Sequence, residues 1–162
     1  MSKLLMLVVL FGGIGIANAQ DHSGNADHNG KHIMVNVSDL KWTDNPAGLP
    51  AGAKVAVLEG NPAEAGPFTL RIIIPANYEI KPHWHPAIEH VSVIKGTFSM
   101  GSGEMFDKAK ATEIREGGFA AMPPKFAHFA FSKSGATIQL HGMGPWGITY
   151  INPKDDPRNT QK

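Results

Sequence analysis

Three histidines and one glutamate crowd into the segment KPHWHPAIEHVSVIKG, residues 81 to 96. They are His83, His85, Glu89 and His90. On a β-strand, residues two apart point to the same side, and each residue advances about 3.3 Å. His83 and His85 therefore project in parallel and can converge on one ion, and Glu89 joins them if no bulge intervenes. His90 has the opposite parity, so we expect it at the surface or behind the ligands.

The spacing of these residues resembles a known pair of motifs. From His83 to Gly96 the order His-x-His-x3-Glu-x6-Gly is similar to the first motif of the cupin superfamily. The segment GGFAAMPPKFAHFAFS resembles the second motif, with Gly117, five residues, a proline and then His128 at the expected distance. The two motifs and the strands between them cover most of residues 77 to 132, so the chain is identified as a member of that superfamily.

Three turn or framing positions depart from the motifs. Asn77 stands where the first motif usually has Gly, Lys125 replaces the turn glycine of the second, and Ser132 replaces its closing Asn. Asn is the next best residue for a turn with positive φ, and Lys is a weaker substitute. None of the four ligand positions of the motifs is altered.

The resemblance implies a small cupin-type β-barrel, a double-stranded β-helix or jelly roll, with one divalent metal held by His83, His85, Glu89 and His128. Three neutral imidazoles and one carboxylate suit Fe, Mn, Co, Ni, Cu or Zn without choosing between them. The chain has no Cys, so no thiolate takes part. Four ligands would leave one or two positions for water, substrate or O₂, unlike a closed structural zinc site. Glu89 is also a candidate catalytic base, if it leaves the metal.

Composition and turn signals indicate an all-β domain independently. The chain is 42% hydrophobic and 18% charged, with 18 Gly and 12 Pro. About ten short apolar runs separated by Gly and Pro indicate a β-sandwich or barrel. No window keeps an amphipathic helical pattern over about three turns.

The first nineteen residues have the three parts of a secretory signal peptide: a basic Lys3, an apolar run from Leu4 to about Ile16, and small residues ending at Ala19. A spanning helix needs about 20 apolar residues, and this run is shorter and broken by glycines. We therefore expect export to the periplasm or the cell exterior, with cleavage after Ala19. The expected division is a signal peptide at 1–19, a disordered histidine-containing tail at 20–32, a single barrel domain at 33–153 and a frayed polar tail at 154–162.

Cleavage after Ala19 would give a mature chain that begins Gln20-Asp21-His22. An amine, two backbone amides and an imidazole at the third position form a square-planar nitrogen set that suits Cu(II) or Ni(II). Cyclisation of Gln20 to pyroglutamate would remove the amine, so this second site requires an open N-terminus.

A late segment, IQLHGMGPWGITYINP, places Gln139 and His141 on one face of a strand. If that strand lines the barrel cavity, His141 is a candidate acid–base or substrate-binding group. The alternative is a histidine at the barrel rim. Several large apolar residues could wall a pocket or simply fill the core: Phe98, Met100, Met122, Phe129, Phe131 and Trp146.

Two classes of function fit these observations. The first is a metal-dependent oxygenase of dioxygenase type that acts on a small organic molecule, with Fe, Mn, Ni or Cu. The second is a non-catalytic module that binds a metal, with zinc favoured, and a small ligand. A metal-dependent isomerase or hydrolase is a third, weaker alternative.

Partners are constrained by charge and by the resemblance. Loss of Lys3 with the signal peptide takes the formal net charge from +1 to 0, and a neutral domain without a basic patch gives no reason to expect nucleic acid. We expect no stable membrane association. The resemblance implies a homodimer and a small-molecule ligand or substrate.

Overall fold

The chain forms ten β-strands within residues 32–159, the part that the computed structural model describes. The strands are β1 (Thr43–Asp44), β2 (Lys54–Glu59), β3 (Gly66–Ile74), β4 (Tyr78–Trp84), β5 (Glu89–Ser102), β6 (Thr112–Arg115), β7 (Phe119–Met122), β8 (His128–Ser132), β9 (Ala136–Gly144) and β10 (Thr149–Tyr150). Short 3-10 turns lie at Val37–Asp39, Lys108–Lys110, Pro153–Asp155 and Pro157–Asn159. Within the described residues, no helix is long and apolar enough to cross a membrane.

The strands pair antiparallel throughout, in the order β1-β2-β3-β9-β5-β8-β4-β10, with β6 and β7 also paired to β5. The long β5 belongs to two sheets. Its first half pairs with β7 and β9, and its second half pairs with β6 and β8. The two sheets therefore join along β5 and curl into a barrel, which confirms the predicted all-β fold.

Gly96 allows β5 to pass from one sheet to the other. Its φ is 79°, in the left-handed region. The register with β9 shifts between Val93 and Lys95, just before it. A Cβ at Gly96 would lie 2.5 Å from the carbonyl oxygen of Gly135. Glycine is therefore required here by both the backbone angle and the close approach of β9.

At the three positions that depart from the motifs, the local backbone structure is kept. Asn77 and Lys125 adopt φ of 57° and 59°, the conformation that glycine would supply. The Lys125 amide donates to the carbonyl of His85 at 2.7 Å, so this turn holds the backbone of a candidate ligand. Ser132 is buried, and its hydroxyl donates to the carbonyl of Thr97 at 2.7 Å. The substitutions therefore change residue types without removing the turns.

Alternate residues of the central strands point into the barrel. Because side chains alternate along a strand, every second residue is buried from Phe68 to Ile74 in β3 and from Ala136 to Leu140 in β9, while the residues between them are not. β5 contributes buried residues on either side of its bend. The inward set includes Phe68, Leu70, Ile72, Ile74, Val91, Val93, Phe98, Met100, Ile138 and Leu140.

The two ends of the described chain have little regular structure. The apolar residues Ile33, Val35 and Val37 form no strand and are exposed. The first strand, β1, begins at Thr43 and pairs with β2. At the other end, residues 153–159 contain two 3-10 turns, and the Arg158 guanidinium donates to the carbonyl of Ile148 at 3.0 Å.

The predicted signal peptide, most of the predicted tail and the Gln20-Asp21-His22 sequence lie outside the described residues. The expectations about export and about a second copper or nickel site therefore stay predictions.

Candidate metal centre

Four neighbouring elements of the barrel bring the predicted ligands together. His83 lies near the end of β4 and pairs with His128, the first residue of β8. His85 follows β4 directly, in a connection of four residues that separates β4 from β5. Glu89 is the first residue of β5 and shares its inward face with Val91. The segment of the first motif is therefore divided between two strands rather than one. Glu89 lies on the inward face of β5, and this places its carboxylate beside the histidines.

The imidazoles meet inside the barrel. The ligand atoms of His83, His85 and His128 all lie within 4.8 Å of one another. Glu89 touches two of them, with Oε1 3.5 Å from Nε2 of His85 and Oε2 3.1 Å from Nε2 of His128. All four residues are at most 5% exposed, so they are largely shielded from bulk water.

Backbone carbonyls fix the tautomer of each histidine. A carbonyl oxygen only accepts, so an Nδ1 bound to it carries the proton and leaves a lone pair on Nε2. Each of the three histidines makes such a bond. The acceptors are Lys81 for His83 at 2.7 Å, Gly147 for His85 at 2.7 Å and Phe126 for His128 at 2.9 Å. Each neutral ring therefore keeps an Nε2 lone pair for a ligand role, and the three histidines lie close enough to share one ion.

The unpaired atoms of this cluster fit a cation. Nε2 of His85, Nε2 of His128 and Oε2 of Glu89 are buried and lack hydrogen-bond partners. The 3.1 Å contact between Nε2 of His128 and Oε2 of Glu89 is a hydrogen bond only when Nε2 carries a proton; with the proton on Nδ1, the form that can bind a metal, both facing atoms are acceptors. Buried acceptors without donors are costly. A divalent ion between them removes the conflict, so the three histidines could hold a metal ion, and the carboxylate is placed to assist.

Burial sets the protonation states that a metal requires. Burial lowers the pKa of His83 to about 3, and the adjacent His128 and His85 add to the effect. Burial also lowers the pKa of His85. For Glu89 burial alone would raise the pKa, but the contacts with His128 and His85 hold it below its usual value. His83 and His85 are therefore neutral and Glu89 is ionised at neutral pH, the forms that ligate metals.

A cavity of about 370 Å³ adjoins the cluster, and all four side chains form part of its wall. The rest of the wall is mainly apolar. Trp146 lies in the wall and stacks on the ring of His85, with centroids 4.1 Å apart and planes 14° apart. The hydroxyl of Tyr150 donates to the carbonyl of Gly48 at 2.8 Å, which ties the loop at residues 46–49 over this side of the barrel.

Of the two placements considered for His141, the structure does not show the one inside the cavity, because neither Gln139 nor His141 belongs to the described cavity wall. The inward residues of β9 are Ile138 and Leu140, so the odd-numbered positions face outward. Gln139 binds Arg71 on the outer face. His141 stacks there on His90, with centroids 4.8 Å apart, and burial beside His90 lowers its pKa. The placement of His90 away from the ligand cluster agrees with its parity.

Of the apolar residues considered for a pocket, three line the cavity and three do not. The lining residues are Phe98, Met100 and Trp146. Sequence reasoning missed the carbonyl of Gly147 that orients His85, and it missed Arg158 in the cavity wall. Gly147 lies 62 residues from His85, so no local pattern could have revealed that contact.

The family match agrees with this geometry. The model of the ChrR cupin-like domain matches residues 30–142 of the chain. The chain belongs to the ChrR cupin-like domain family. The match spans both motifs and all four members of the cluster. No curated protein sequence matches this cupin.

Solved structures support the barrel. The polyketide cyclase RemF from Streptomyces resistomycificus aligns with a TM-score of 0.64 at 15% identity, over 82% of this chain and 94% of its own. A candidate acetylacetone dioxygenase from Methylibium petroleiphilum PM1 gives 0.59 at 20% identity, over 78% and 85%. An RmlC-like cupin from Shewanella frigidimarina NCIMB 400 gives 0.55 at 17% identity, over 70% and 90%. At these identities the likeness is one of fold.

Proposed function

We propose that this cupin binds one divalent transition metal through His83, His85, Glu89 and His128 and is an oxygenase that acts on a small organic molecule. The observation that carries the proposal is the set of buried, carbonyl-oriented Nε2 atoms and the carboxylate in the wall of a cavity large enough for a ligand. A redox-active ion held there would supply Lewis acidity and one-electron chemistry with O₂.

The protein's own part in this chemistry is to position groups and exclude water. The Nδ1 bonds hold the imidazole rings in one tautomer and orientation, so little reorganisation accompanies binding. The apolar wall separates the reacting molecule from solvent, which strengthens electrostatic interactions inside the cavity. Glu89 is ionised and can accept a proton from a bound substrate.

The composition of the wall favours redox chemistry over acid–base chemistry. Among the described residues, the cavity wall contains no Asp, Glu, Lys or Tyr and no further His besides the four cluster residues. An isomerase or hydrolase would therefore need Glu89 as both metal ligand and base. His141, the other catalytic candidate, lies on the outer face. The isomerase or hydrolase alternative is the least supported for this reason.

A second candidate function is binding without turnover. The same shortage of acid–base groups in the described wall suits a module that holds zinc and a small ligand. The similarity in fold to a cyclase and to a candidate dioxygenase does not distinguish an oxygenase from a binding module, because one fold carries many activities.

We further propose that this cupin is exported. The proposal rests on the composition of residues 1–19, with a basic start, an apolar run and a small-residue end. Metal uptake outside the cytoplasm would favour copper or zinc over iron, because those ions bind such ligands more tightly. N-terminal sequencing of the periplasmic or secreted protein tests this proposal, and a sequence that starts at Gln20 is the expected result.

Oxygen uptake distinguishes the functions. The chelated protein is reloaded separately with Fe(II), Mn(II), Ni(II), Cu(II) or Zn(II) and supplied with a panel of small apolar ketones, enols, phenols and acids in an oxygen electrode. We expect uptake with a redox-active metal, none with zinc, and loss of uptake in Glu89→Gln. Product formed without oxygen uptake would contradict the oxygenase and favour the isomerase or hydrolase. Ligand binding without any product would favour the binding module.

A further inference from the structure

The wall of the cavity is polar only on the side that the cluster forms. Apart from the four cluster residues, the described side chains of its wall are almost all hydrocarbon. They come from several strands and from the loops around them. Representative members are Leu70, Ile72, Phe98, Ile138, Leu140 and Ile148. The polar atoms of a ligand that fills the cavity must therefore lie at the cluster, where they find partners, because buried polar groups without partners are costly.

Arg158 is the one other charged residue of the described wall, and its charge is already matched. Its Nη2 lies 2.7 Å from Oδ2 of Asp156, and its Nε lies 2.8 Å from Oδ1 of the same carboxylate. Nη2 also donates to the carbonyl of Ile148 at 3.0 Å. This bidentate pair leaves no unmatched cation for a second anionic group of a ligand.

Trp146 adds one donor on the polar side. Its indole Nε1 is buried and has no hydrogen-bond partner, and its ring stacks on His85. An indole N–H only donates. The unused donor of the wall is therefore beside the cluster, where it suits an acceptor such as an oxygen.

The size of the cavity limits the ligand. A dry apolar cavity of about 150 Å³ holds one benzene molecule. By that comparison, a cavity of about 370 Å³ accepts a ligand of roughly 10 to 15 non-hydrogen atoms. A long lipid chain or an oligosaccharide would not fit.

The net charge of the metal centre determines the charge of the ligand group that can bind to it. A divalent ion with one ionised carboxylate and three neutral imidazoles keeps one positive charge. A buried charge without a partner is unfavourable. A ligand with one anionic oxygen neutralises the centre, whereas a second anionic group would be an unpaired charge against a hydrocarbon wall.

We propose that the ligand of this cavity is a small amphipathic monoanion with a single anionic oxygen head, such as a carboxylate, enolate or phenolate, and an uncharged apolar body. The inference rests on the proposed metal function and names the substrate class of the same site. It excludes dianions, sugars and polyols as ligands.

Calorimetric titration of the zinc-loaded protein tests the ligand class without relying on turnover. The probes are acetate, butyrate and hexanoate, with succinate as the dianionic match of butyrate. We expect affinity to rise about fourfold for each added methylene. We expect succinate to bind at least about 100-fold more weakly than butyrate, because its second carboxylate is buried without a partner.

A matched pair of variants tests whether the apolar body of the ligand lies in the cavity. Ala130 is buried in the wall, and Ala121 is exposed on β7. Ala130→Leu adds an isopropyl group to the cavity and should weaken hexanoate by about tenfold or more while acetate changes little. Ala121→Leu should leave both affinities unchanged. If Ala130→Leu does not fold, the chain-length series in the wild-type protein still decides.

Zinc analysis of the same samples separates the two proposals. Zinc retained at one equivalent with succinate bound as tightly as butyrate, or with no dependence on chain length, would overturn the ligand class and leave the metal centre intact. Failure of the wild-type protein to retain zinc or any other divalent metal would overturn the proposed function itself.

Discussion

At the scale of single residues, the hydrogen bond at each Nδ1 decides what the histidines do. A buried imidazole without such a bond could adopt either tautomer, and only one of them offers Nε2 to an ion. Carbonyls at Lys81, Gly147 and Phe126 remove that choice. Two of these acceptors lie two residues before the histidine they orient, so the local strand geometry supplies them. The third comes from a distant loop.

The metal-free protein should lose stability as the pH falls from 7 toward 4. His83 titrates near 6.5 when unfolded and near 3 when folded. Below pH 6.5 the unfolded chain binds a proton that the folded protein does not, so this residue destabilises the fold by up to about 1.4 kcal/mol for each pH unit. Urea unfolding at several pH values in chelator measures the slope, and His83→Gln should reduce it. A slope that is unchanged in His83→Gln would contradict this explanation.

Trp146 should act as a positioning residue for His85. It covers one face of the imidazole, and the carbonyl of the following residue holds Nδ1. Trp146→Ala should weaken zinc binding by about tenfold or more, which is the lower end of the range for removal of a group that orients a metal ligand. Trp146→Phe keeps an aromatic ring stacked on His85 and should therefore lose less zinc affinity. Competition with a chromophoric chelator measures the affinity. Trp84→Ala is the control, and an equal loss in that variant would show that the stack is not the cause.

At the scale of elements, β5 links the fold to the site. Its first residue is Glu89, its first half closes one sheet, and its second half closes the other. The bend at Gly96 makes both pairings available to one strand. The second motif contributes the β8 strand that carries His128 opposite His83. The metal cluster therefore depends on the barrel closing correctly.

Gly96→Ala should destabilise the barrel more than Gly103→Ala does. Both glycines have positive φ, 79° and 104°, so both variants bear the cost of a Cβ in that region. Only at Gly96 would the new Cβ meet backbone, 2.5 Å from the Gly135 carbonyl oxygen, whereas nothing lies within 4 Å at Gly103. We expect Gly96→Ala to lose about 2 kcal/mol more than the control. Equal losses in thermal or urea unfolding would show that the close approach does not matter.

At the scale of the whole molecule, local patterns predicted the all-β fold and the grouping of His83 with His85, and the resemblance of the second motif implied that His128 would join them. Strand parity put His83 and His85 together, and the turn residues at Asn77 and Lys125 kept their backbone conformation despite the changed residue types. The sequence left open whether His141 lines the cavity or lies outside it, because the face that a strand presents depends on its neighbours: Ile138 and Leu140 take the inward positions.

Long-range contacts account for the rest of what the sequence could not predict. The carbonyl of Gly147, the stack of Trp146 and the place of Arg158 in the cavity wall depend on the closure of the barrel, not on any local period. The apolar character of the cavity, on which the ligand class rests, also emerges only when the strands are assembled.

Elemental analysis tests the central claim most directly. The mature protein is purified without chelator or affinity tag beside His83→Ala, with His90→Ala as a control that removes a histidine on the outer side of β5. We expect close to one divalent transition metal per chain in the wild-type protein and in His90→Ala, and its loss in His83→Ala. Metal that persists in His83→Ala, or that is lost equally in His90→Ala, or its absence from the wild-type protein, would contradict a metal centre built by His83, His85, Glu89 and His128.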